Sequence, residues 1–135
     1  MIKVIPYDDG HIQAIRALHE SQDYPRMQDI TVDNLPLVGF IAVQGRVAVA
    51  AGFLRQVEGG FAQLDSLVSN KVFPSKKRHA AISLIVEFLI HEARSLGFKA
   101  ILATTSDDSV LERALKVGFR VIPQTLIGLM LEDVH

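Results

Sequence analysis

The chain has 135 residues, enough for one domain with a single hydrophobic core, and its 49% hydrophobic and 21% charged residues are typical of a globular protein. Lysine and arginine total 14 against 15 aspartates and glutamates, so no overall positive charge is present to hold a nucleic acid or an anionic membrane. Cysteine is absent, which excludes disulfide bonds, thiolate chemistry and cysteine-ligated metal sites. We therefore expect one domain, residues 1–135, without a nucleic-acid or membrane partner.

Two features of the sequence bear on location. The opening segment MIKVIPYDDG lacks the apolar stretch of a secretory signal. The most apolar window, Ile82 to Ile90, contains Ser83 and Glu87 and is too short to span a bilayer. A cytoplasmic protein is the resulting expectation.

A strand and a helix are predicted at the start of the chain. The run Ile2 to Pro6 predicts a short strand, and Asp8 or Asp9 could cap the helix that follows. That helix is predicted from apolar residues at helical spacing: Ile12, Ile15 and Leu18. Gln22 to Pro36 predicts a loop with room for one short helix.

Three consecutive strands are predicted from Val38 onward. Two turn signals, Gln44-Gly45 and Gly59-Gly60, separate runs rich in valine, phenylalanine and leucine. The strands are expected at Val38 to Val43, Val47 to Val57 and Phe61 to Val68. An antiparallel meander is the simplest way to join them.

Two more helices, with a strand between them, are predicted in the second half. A loop over Ser69 to Lys77 leads into a long helix, Arg78 to Arg94, that Gly97 ends. Lys99 to Thr104 (KAILAT) is typical of a buried strand, and Ser106 or Asp107 could cap a short second helix. The core face of the long helix is predicted to contain these apolar residues: Ala81, Leu84, Ile85, Phe88, Leu89 and Ala93.

The last segment completes the predicted topology. RVIPQTLIGLMLEDV supplies one or two closing strands, with Pro123 at a bend or an edge. The order is then β-α-loop-β-β-β-α-β-α-β(β). The long helix makes the third meander strand and KAILAT parallel neighbours, so a mixed sheet with helices on both faces is predicted.

The start of the long helix is a candidate anion site. Its first amide groups lack intrahelical acceptors, and the positive end of the helix dipole lies behind them. Basic side chains and small residues coincide there: Lys76, Lys77, Arg78, His79, Ala80 and Ala81. This chemistry indicates a phosphate, most plausibly a pyrophosphate. The alternative is that these cations are solvated surface, because cations in a first helical turn oppose the dipole.

The order of elements, together with VFPSKKRHAAISLI and the later EARSLGF, resembles the Gcn5-related N-acetyltransferase (GNAT) superfamily over essentially the whole chain. The signature of that superfamily is V-x-P-x-x-[RQ]-x-x-[GA]-x-[GA] at the opening of a helix. The resemblance implies the GNAT or acyl-CoA N-acyltransferase fold. This is an α/β (α+β) architecture with a mixed central sheet of six or seven strands and helices on both faces.

The resemblance also implies where acetyl-CoA binds. In the family, the loop and helix start hold the pyrophosphate through backbone amides, and the pantetheine arm lies between two parallel strands that splay apart. Here those strands would be Asp65 to Ser69 and Ala100 to Thr104, with the backbone of Val68 and Ser69 binding the arm. The residues implied at the pyrophosphate are Lys77, Arg78, His79, Ala80, Ala81 and Ser83.

The signature fits this sequence in two registers. Counting from the V-x-P of the sequence gives Lys77 as the basic position and Ala80 and Ile82 as the small ones. A shift by one residue gives Arg78, Ala81 and Ser83. The second register is preferred because an isoleucine would crowd a phosphate, whereas alanine and serine would not.

A second resemblance concerns source. The runs GFLRQVEGGFAQLDSLVSN, RHAAISLI and TTSDDSVLERALKVGF are similar to small acetyltransferase-like proteins of tailed phages. In that group alanines replace the glycines of the loop. The resemblance implies a phage-encoded protein located in the host cytoplasm.

Acetyl transfer needs a base for the proton of the amine and a donor for the departing thiolate. Asp65, beside the presumed splay, is the first choice as base, although it could instead make a structural hydrogen bond. The family usually supplies the donor from a tyrosine in the last helix, but Ala114 takes that place here. Ser106 could replace the tyrosine, although it is also explained as a helix cap.

Two functional hypotheses follow. The leading one is an acetyl-CoA-dependent N-acetyltransferase that acetylates an amine of an unknown small molecule or protein. No metal is expected for it, because the sequence has no histidine spacing typical of a metal site. The alternative is a catalytically degenerate GNAT-fold phage protein that acts as a virion component or binds a host protein. Dimers through edge strands are frequent in the superfamily, so a homodimer is one candidate assembly.

Overall fold

The structure is a computed structural model that describes residues 1–21, 36, 38–57, 59–105, 108–125, 127–129 and 131. The side chains of His19, Asp65, Ser66 and Ser109 are likewise outside the description. Nearly all of the loop predicted from Gln22 to Pro36 therefore lies outside the described residues. The chain divides into two compact units, Met1–Thr104 and Thr105–His135. A single domain over residues 1–135 stays a prediction.

The first unit begins with the predicted strand and helix. Strand β1 is Ile2–Pro6, a short 3-10 helix follows at Asp9–His11, and helix α1 is Ile12–Glu20. Asp8 caps the 3-10 helix: its carboxylate accepts from the amide of Gly10 at 2.8 Å, and its own amide donates to His11 Nδ1 at 3.0 Å. The prediction that Asp8 or Asp9 provides a cap is confirmed for Asp8.

The meander predicted in the middle of the chain is confirmed. Strands β2 (Val38–Gln44), β3 (Val47–Val57) and β4 (Phe61–Ser69) pair antiparallel in sequence order. The β2–β3 turn contains Gly45 at φ 63°, in the left-handed region that glycine enters without steric cost. Strand β1 extends the sheet beside β2, and β5 (Ala100–Leu102) pairs parallel to β4. The result is a mixed sheet in the order β1-β2-β3-β4-β5.

The long helix, α2, is Ser75–Ser95 and begins before the predicted start at Arg78. Pro74 is its N-cap, with φ −64° and ψ 152°, an extended conformation in which the missing N–H of proline costs nothing. The lysines and arginine that follow have good helix propensity, so the helix forms from the first residue after the proline. Gly97, at φ 82°, follows its C-terminus as predicted. In the second unit, helix α3 is Asp108–Lys116.

Helices cover both faces of the sheet, as predicted. On one face, buried α2 residues such as Ile85 and Leu89 pack against strand residues such as Ala50 and Leu54. On the other face, Ile15 and Leu18 of α1 pack in a second cluster with these residues: Ile41, Ala51, Phe53 and Val68. The alternation of Ala50 and Ala51 between the two clusters follows from the two-residue period of a strand.

One prediction about the core face of α2 needs correction. Phe88 is predicted on the core face of α2, but its side chain is 43% exposed. Its ring contacts the ring of Phe40 in a tilted arrangement, with centroids 5.4 Å apart. The closing strands expected over RVIPQTLIGLMLEDV fall partly outside the described residues. Residues 119–125, 127–129 and 131 contain no strand, and the described part of the sheet has five strands. At Pro123 the chain turns, because the amide of Gln124 bonds back to the carbonyl of Ile122 at 2.8 Å. Among the described helices, none combines the length and apolar character needed to cross a membrane.

Candidate functional site

Strand β5 pairs only with the first three residues of β4. Their parallel pairing runs from Phe61 opposite Ala100 to Gln63 opposite Leu102. Beyond Leu102 the described chain has no strand, whereas β4 continues to Ser69. Among the described strands, β5 therefore pairs only with the first part of β4. The pairing ends at Leu102, the last residue of a three-residue β5 and within the stretch Ala100 to Thr104 where the splay is predicted, and the splay itself stays a prediction.

A β-bulge lies in β4 beyond the residues that pair with β5. Ala51 is opposite Val68 and Phe53 is opposite Asp65, so β4 has an extra residue across from Gly52. A bulge bends its strand and increases the local twist. This bulge was not predicted from the sequence. Its signal is the glycine inside an otherwise apolar strand.

The turn after β4 is fixed by Asn70. The amide of Asn70 donates to the carbonyl of Val49 at 2.7 Å, and its side-chain Nδ2 donates to the carbonyl of Ala48 at 3.1 Å. Its Oδ1 accepts from the amide of Val72 at 3.0 Å, and its carbonyl accepts from the amide of Phe73 at 3.1 Å. Asn70 thereby ties the loop to β3. This role of Asn70 was not predicted from the sequence, although an asparagine directly after a strand is a recognised turn former.

The start of α2 has unpaired amide groups. No side chain caps it, and the amides of Lys77 and Arg78 both reach the carbonyl of Pro74 at 3.1 Å. The amides of Ser75 and Lys76 precede these and have no acceptor among the described residues. Because α2 begins at Ser75, the amides from His79 onward lie inside the helix, where the regular i to i−4 pattern uses them. The free donors are thus earlier in the chain than predicted.

The two cations that distinguish the two signature registers have different surroundings. Lys77 Nζ donates to Gln44 Oε1 at 2.6 Å in a partly buried position and lies 5.9 Å from the centroid of the Phe73 ring. Arg78 Nε is buried and has no hydrogen-bond partner in the described part of the chain. A buried N–H left unpaired costs about 1–3 kcal/mol. An anion within reach of Arg78 Nε would remove that cost, and the amides of Ser75 and Lys76 are donors of the kind that bind phosphate.

The remaining residues predicted to contact the coenzyme lie on different sides of their elements. Ala80 and Ser83 are exposed, and His79 is exposed as well. Ala81 is fully buried in the cluster between α2 and the sheet, so its methyl group packs in the core. Val68 is buried in the cluster on the α1 face, and Ser69 is half-buried at the end of β4. Their roles toward a coenzyme stay predictions.

The predicted catalytic residues are only partly described. The backbone of Asp65 is in β4 beside Phe53, just past the last residue paired with β5, but its side chain is outside the description. Ser106 is outside the described residues altogether, and Ala114 is a half-buried residue of α3. The described tyrosine, Tyr7, has its edge against the ring of Phe53, with centroids 5.0 Å apart. Over the described chain, no group of three histidine or carboxylate side chains is arranged to hold a metal.

No family model and no curated protein matches the sequence. Solved structures do match it: an acetyltransferase of the GNAT family from Staphylococcus aureus Mu50 has a TM-score of 0.77 at 14% identity, over 99% of this chain and 94% of that one. The ribosomal-protein-S18-alanine N-acetyltransferase from Escherichia coli has a TM-score of 0.73 at 14% identity, over 89% and 78%. AAC(6')-Iy, in complex with the bisubstrate analogue CoA-S-monomethyl-acetylneamine, has a TM-score of 0.67 at 14% identity, over 96% and 98%.

The TM-scores of these matches establish the fold, whereas identities of 14% do not establish the activity. The mixed sheet and the helices on both faces agree with these matches. The chain has the fold of the GNAT-family acetyltransferases.

Proposed function

We propose that this chain binds acetyl-CoA and transfers the acetyl group to an amine. One arrangement supports the proposal. Strand β4 is no longer paired with β5 beyond Gln63, and it leads through the Asn70 turn to the start of α2. That helix start has no side-chain cap, and its first turn contains Arg78, whose Nε has no partner among the described residues. An open strand edge and an anion-binding helix start, on consecutive segments, suit a long ligand with a diphosphate at one end. The match to a fold solved with a CoA-containing analogue supports the same ligand.

Each part of the ligand has donors suited to it. The guanidinium of Arg78 and the amides of Ser75 and Lys76 would hold the diphosphate, since charge-assisted bonds from arginine to phosphate are strong and directional. The backbone of Val68 and Ser69 would hydrogen-bond the pantetheine arm along the open edge of β4. A cytoplasmic location, inside a host cell if the gene is carried by a phage, belongs to the same proposal.

Acetyl-CoA supplies an acetyl group already activated as a thioester. Transfer forms an N–C bond and breaks the C–S bond, so one proton leaves the amine and one reaches the sulfur. Asp65 is the proposed acceptor of the first proton, directly or through ordered water, because its backbone follows closely on the last β4 residue paired with β5. Ser106 is the proposed donor of the second proton.

Calorimetry with acetyl-CoA tests the binding step. We expect heat of binding for the native chain at submillimolar ligand and none for Arg78→Glu, which replaces the phosphate-facing cation by an anion. Arg94→Glu is the matched control because Arg94 is exposed in the last turn of the same helix. Absence of binding by the folded native chain would overturn the proposal, and equal affinities for native and Arg78→Glu would overturn the placement of the diphosphate.

Release of free coenzyme A tests the transfer step. A thiol reagent reports the product without background from the protein, because the chain contains no cysteine. Thiol release that depends on both acetyl-CoA and an added amine supports transfer. The loss of that release in Asp65→Asn, with acetyl-CoA affinity retained, would support the proposed base, and undiminished release would contradict it.

The second candidate is a degenerate GNAT-fold protein that acts as a virion component or binds a host protein. Ala114, in α3, favours it, because a methyl group cannot donate the proton that a tyrosine would supply there. If this lost donor is what limits turnover, Ala114→Tyr should raise thiol release in the assay above. A folded native chain that neither binds acetyl-CoA nor gains activity from this change would favour the non-enzymatic function.

A further inference from the structure

Two neighbouring cations at the start of α2 are in unlike environments. Lys77 Nζ is held by Gln44 Oε1 at 2.6 Å and lies over the Phe73 ring, 5.9 Å from its centroid. Arg78 Nε is buried without an acceptor among the described residues. Gln44 is the last residue of β2, next to the tight turn into β3. The lysine ammonium therefore links the first turn of α2 to the β2–β3 hairpin, while the arginine makes no such link through Nε.

We propose that Lys77 and Gln44 are positioning residues, which hold the start of α2 in place so that Arg78 is the cation that contacts the diphosphate. This inference rests on the proposed binding of acetyl-CoA at this helix start. It goes beyond the sequence signature, in which Lys77 aligns with the basic position counted directly from Val72 and Pro74. The structure assigns that side chain a partner within the protein instead.

The link is needed because α2 has no side-chain cap to fix its first turn. The amides of Ser75 and Lys76 can bind an anion well only if their directions are set before the anion arrives. Asn70 anchors the preceding turn to Ala48 and Val49, on the β3 side of the same hairpin. Lys77 anchors the first turn of α2 to Gln44, on the β2 side of the hairpin. The loop is thus held to the hairpin at both of its ends.

Gln44→Leu distinguishes a positioning role from a contact role by the direction of its effect. If Lys77 itself contacted the diphosphate, removing the amide that competes for its ammonium would leave acetyl-CoA affinity unchanged or tighter. If Lys77 acts by positioning, the loss of Gln44 weakens binding by roughly fivefold, the scale of one net hydrogen bond of ~1 kcal/mol. The measurement is the calorimetric dissociation constant, taken well below the melting temperature so that a merely destabilised variant is still folded.

A double-mutant cycle provides the second readout. Lys77→Met keeps an unbranched apolar stem beside Phe73 but removes the donor, so we expect the same weakening as for Gln44→Leu and no additional loss in the double variant. Additive losses would mean that Lys77 acts independently of Gln44 and would overturn the inference. Gln44→Glu should restore native-like affinity because a carboxylate can accept from the ammonium, and failure of that rescue counts against the link. Gln13→Leu, at an exposed position of α1, controls for loss of a glutamine and should bind as the native chain does.

The outcomes separate this inference from the proposed function. A native chain that does not bind acetyl-CoA contradicts both. Native binding that Arg78→Glu abolishes and Gln44→Leu leaves unchanged contradicts the positioning role alone. Native binding that both variants weaken, with a non-additive Lys77 and Gln44 pair, supports both.

Discussion

A methyl group on Gly52 would lie 2.7 Å from Leu67 Cδ1, across the point where β4 bulges away from β3. Ile85 Cγ2 would be 2.9 Å from the same methyl group, so α2 also closes on this position. Real Cβ atoms do not approach other carbons this closely, and the neighbours are branched side chains in the core. Gly52 therefore sets how near α2 can pack to the bulge that precedes the candidate site.

Substitution of this glycine should destabilise the fold. Gly52→Ala is expected to lower the free energy of unfolding by about 1–3 kcal/mol, because the added methyl group overpacks the core. Urea denaturation measures the change. Gly128→Ala is the matched control, since no atom of the described residues lies within 4 Å of a Cβ there, and it should leave the midpoint unchanged. Equal midpoints for Gly52→Ala and the native chain would contradict the close approach.

Asn70 should contribute to stability through its side chain. Asn70→Ala removes the donor to Ala48 and the acceptor for Val72, and we expect a loss of about 1–3 kcal/mol. Asn70→Asp keeps an acceptor for Val72 but places a second oxygen against the carbonyl of Ala48, so it should also destabilise. Chemical denaturation of the two variants tests this. Native stability in Asn70→Asp would show that the bond to Ala48 contributes nothing.

The side chains of α2 that face the sheet should contribute much of the free energy of unfolding. Leu89 is fully buried, so Leu89→Ala leaves a cavity and should cost about 2–5 kcal/mol of unfolding free energy. Leu96, just after the helix, is 52% exposed, and Leu96→Ala should cost far less. Comparable losses at the two positions, measured by urea denaturation, would contradict the burial of this side of α2.

Tyr7 should make stability fall at alkaline pH. Its pKa is raised from the ordinary value of 10.0, first by burial and then by the charges of Asp9 and Asp8. The folded state thus keeps the phenol proton at pH values where the unfolded chain has lost it, so stability declines as pH rises above 10. The melting temperature of the native chain should fall more steeply there than that of Tyr7→Phe. Parallel curves for the two proteins above pH 10 would rule out a raised pKa.

The site was predictable as far as it depends on chain order. A V-x-P segment followed by basic and small residues pointed to an anion site at a helix start, and the structure has an uncapped helix start there. The bulge opposite Gly52 and the Asn70 turn were not predicted. Both depend on which residues of β3 lie across from β4, and a sequence read along one strand contains no register.

The sequence by itself determined the order and type of the described strands and α-helices, because runs rich in valine, phenylalanine and leucine between turn signals mark the meander strands and apolar residues recur at helical spacing in α1 and α2. Gly45 and Gly97 marked the ends of elements, because the left-handed backbone at these positions favours glycine. Only the tertiary structure separated Lys77 from Arg78. Successive residues of a helix point about 100° apart, so the packing of the apolar side of α2 on the sheet directs the lysine to Gln44 and buries Arg78 Nε, for which the described part of the chain offers no partner.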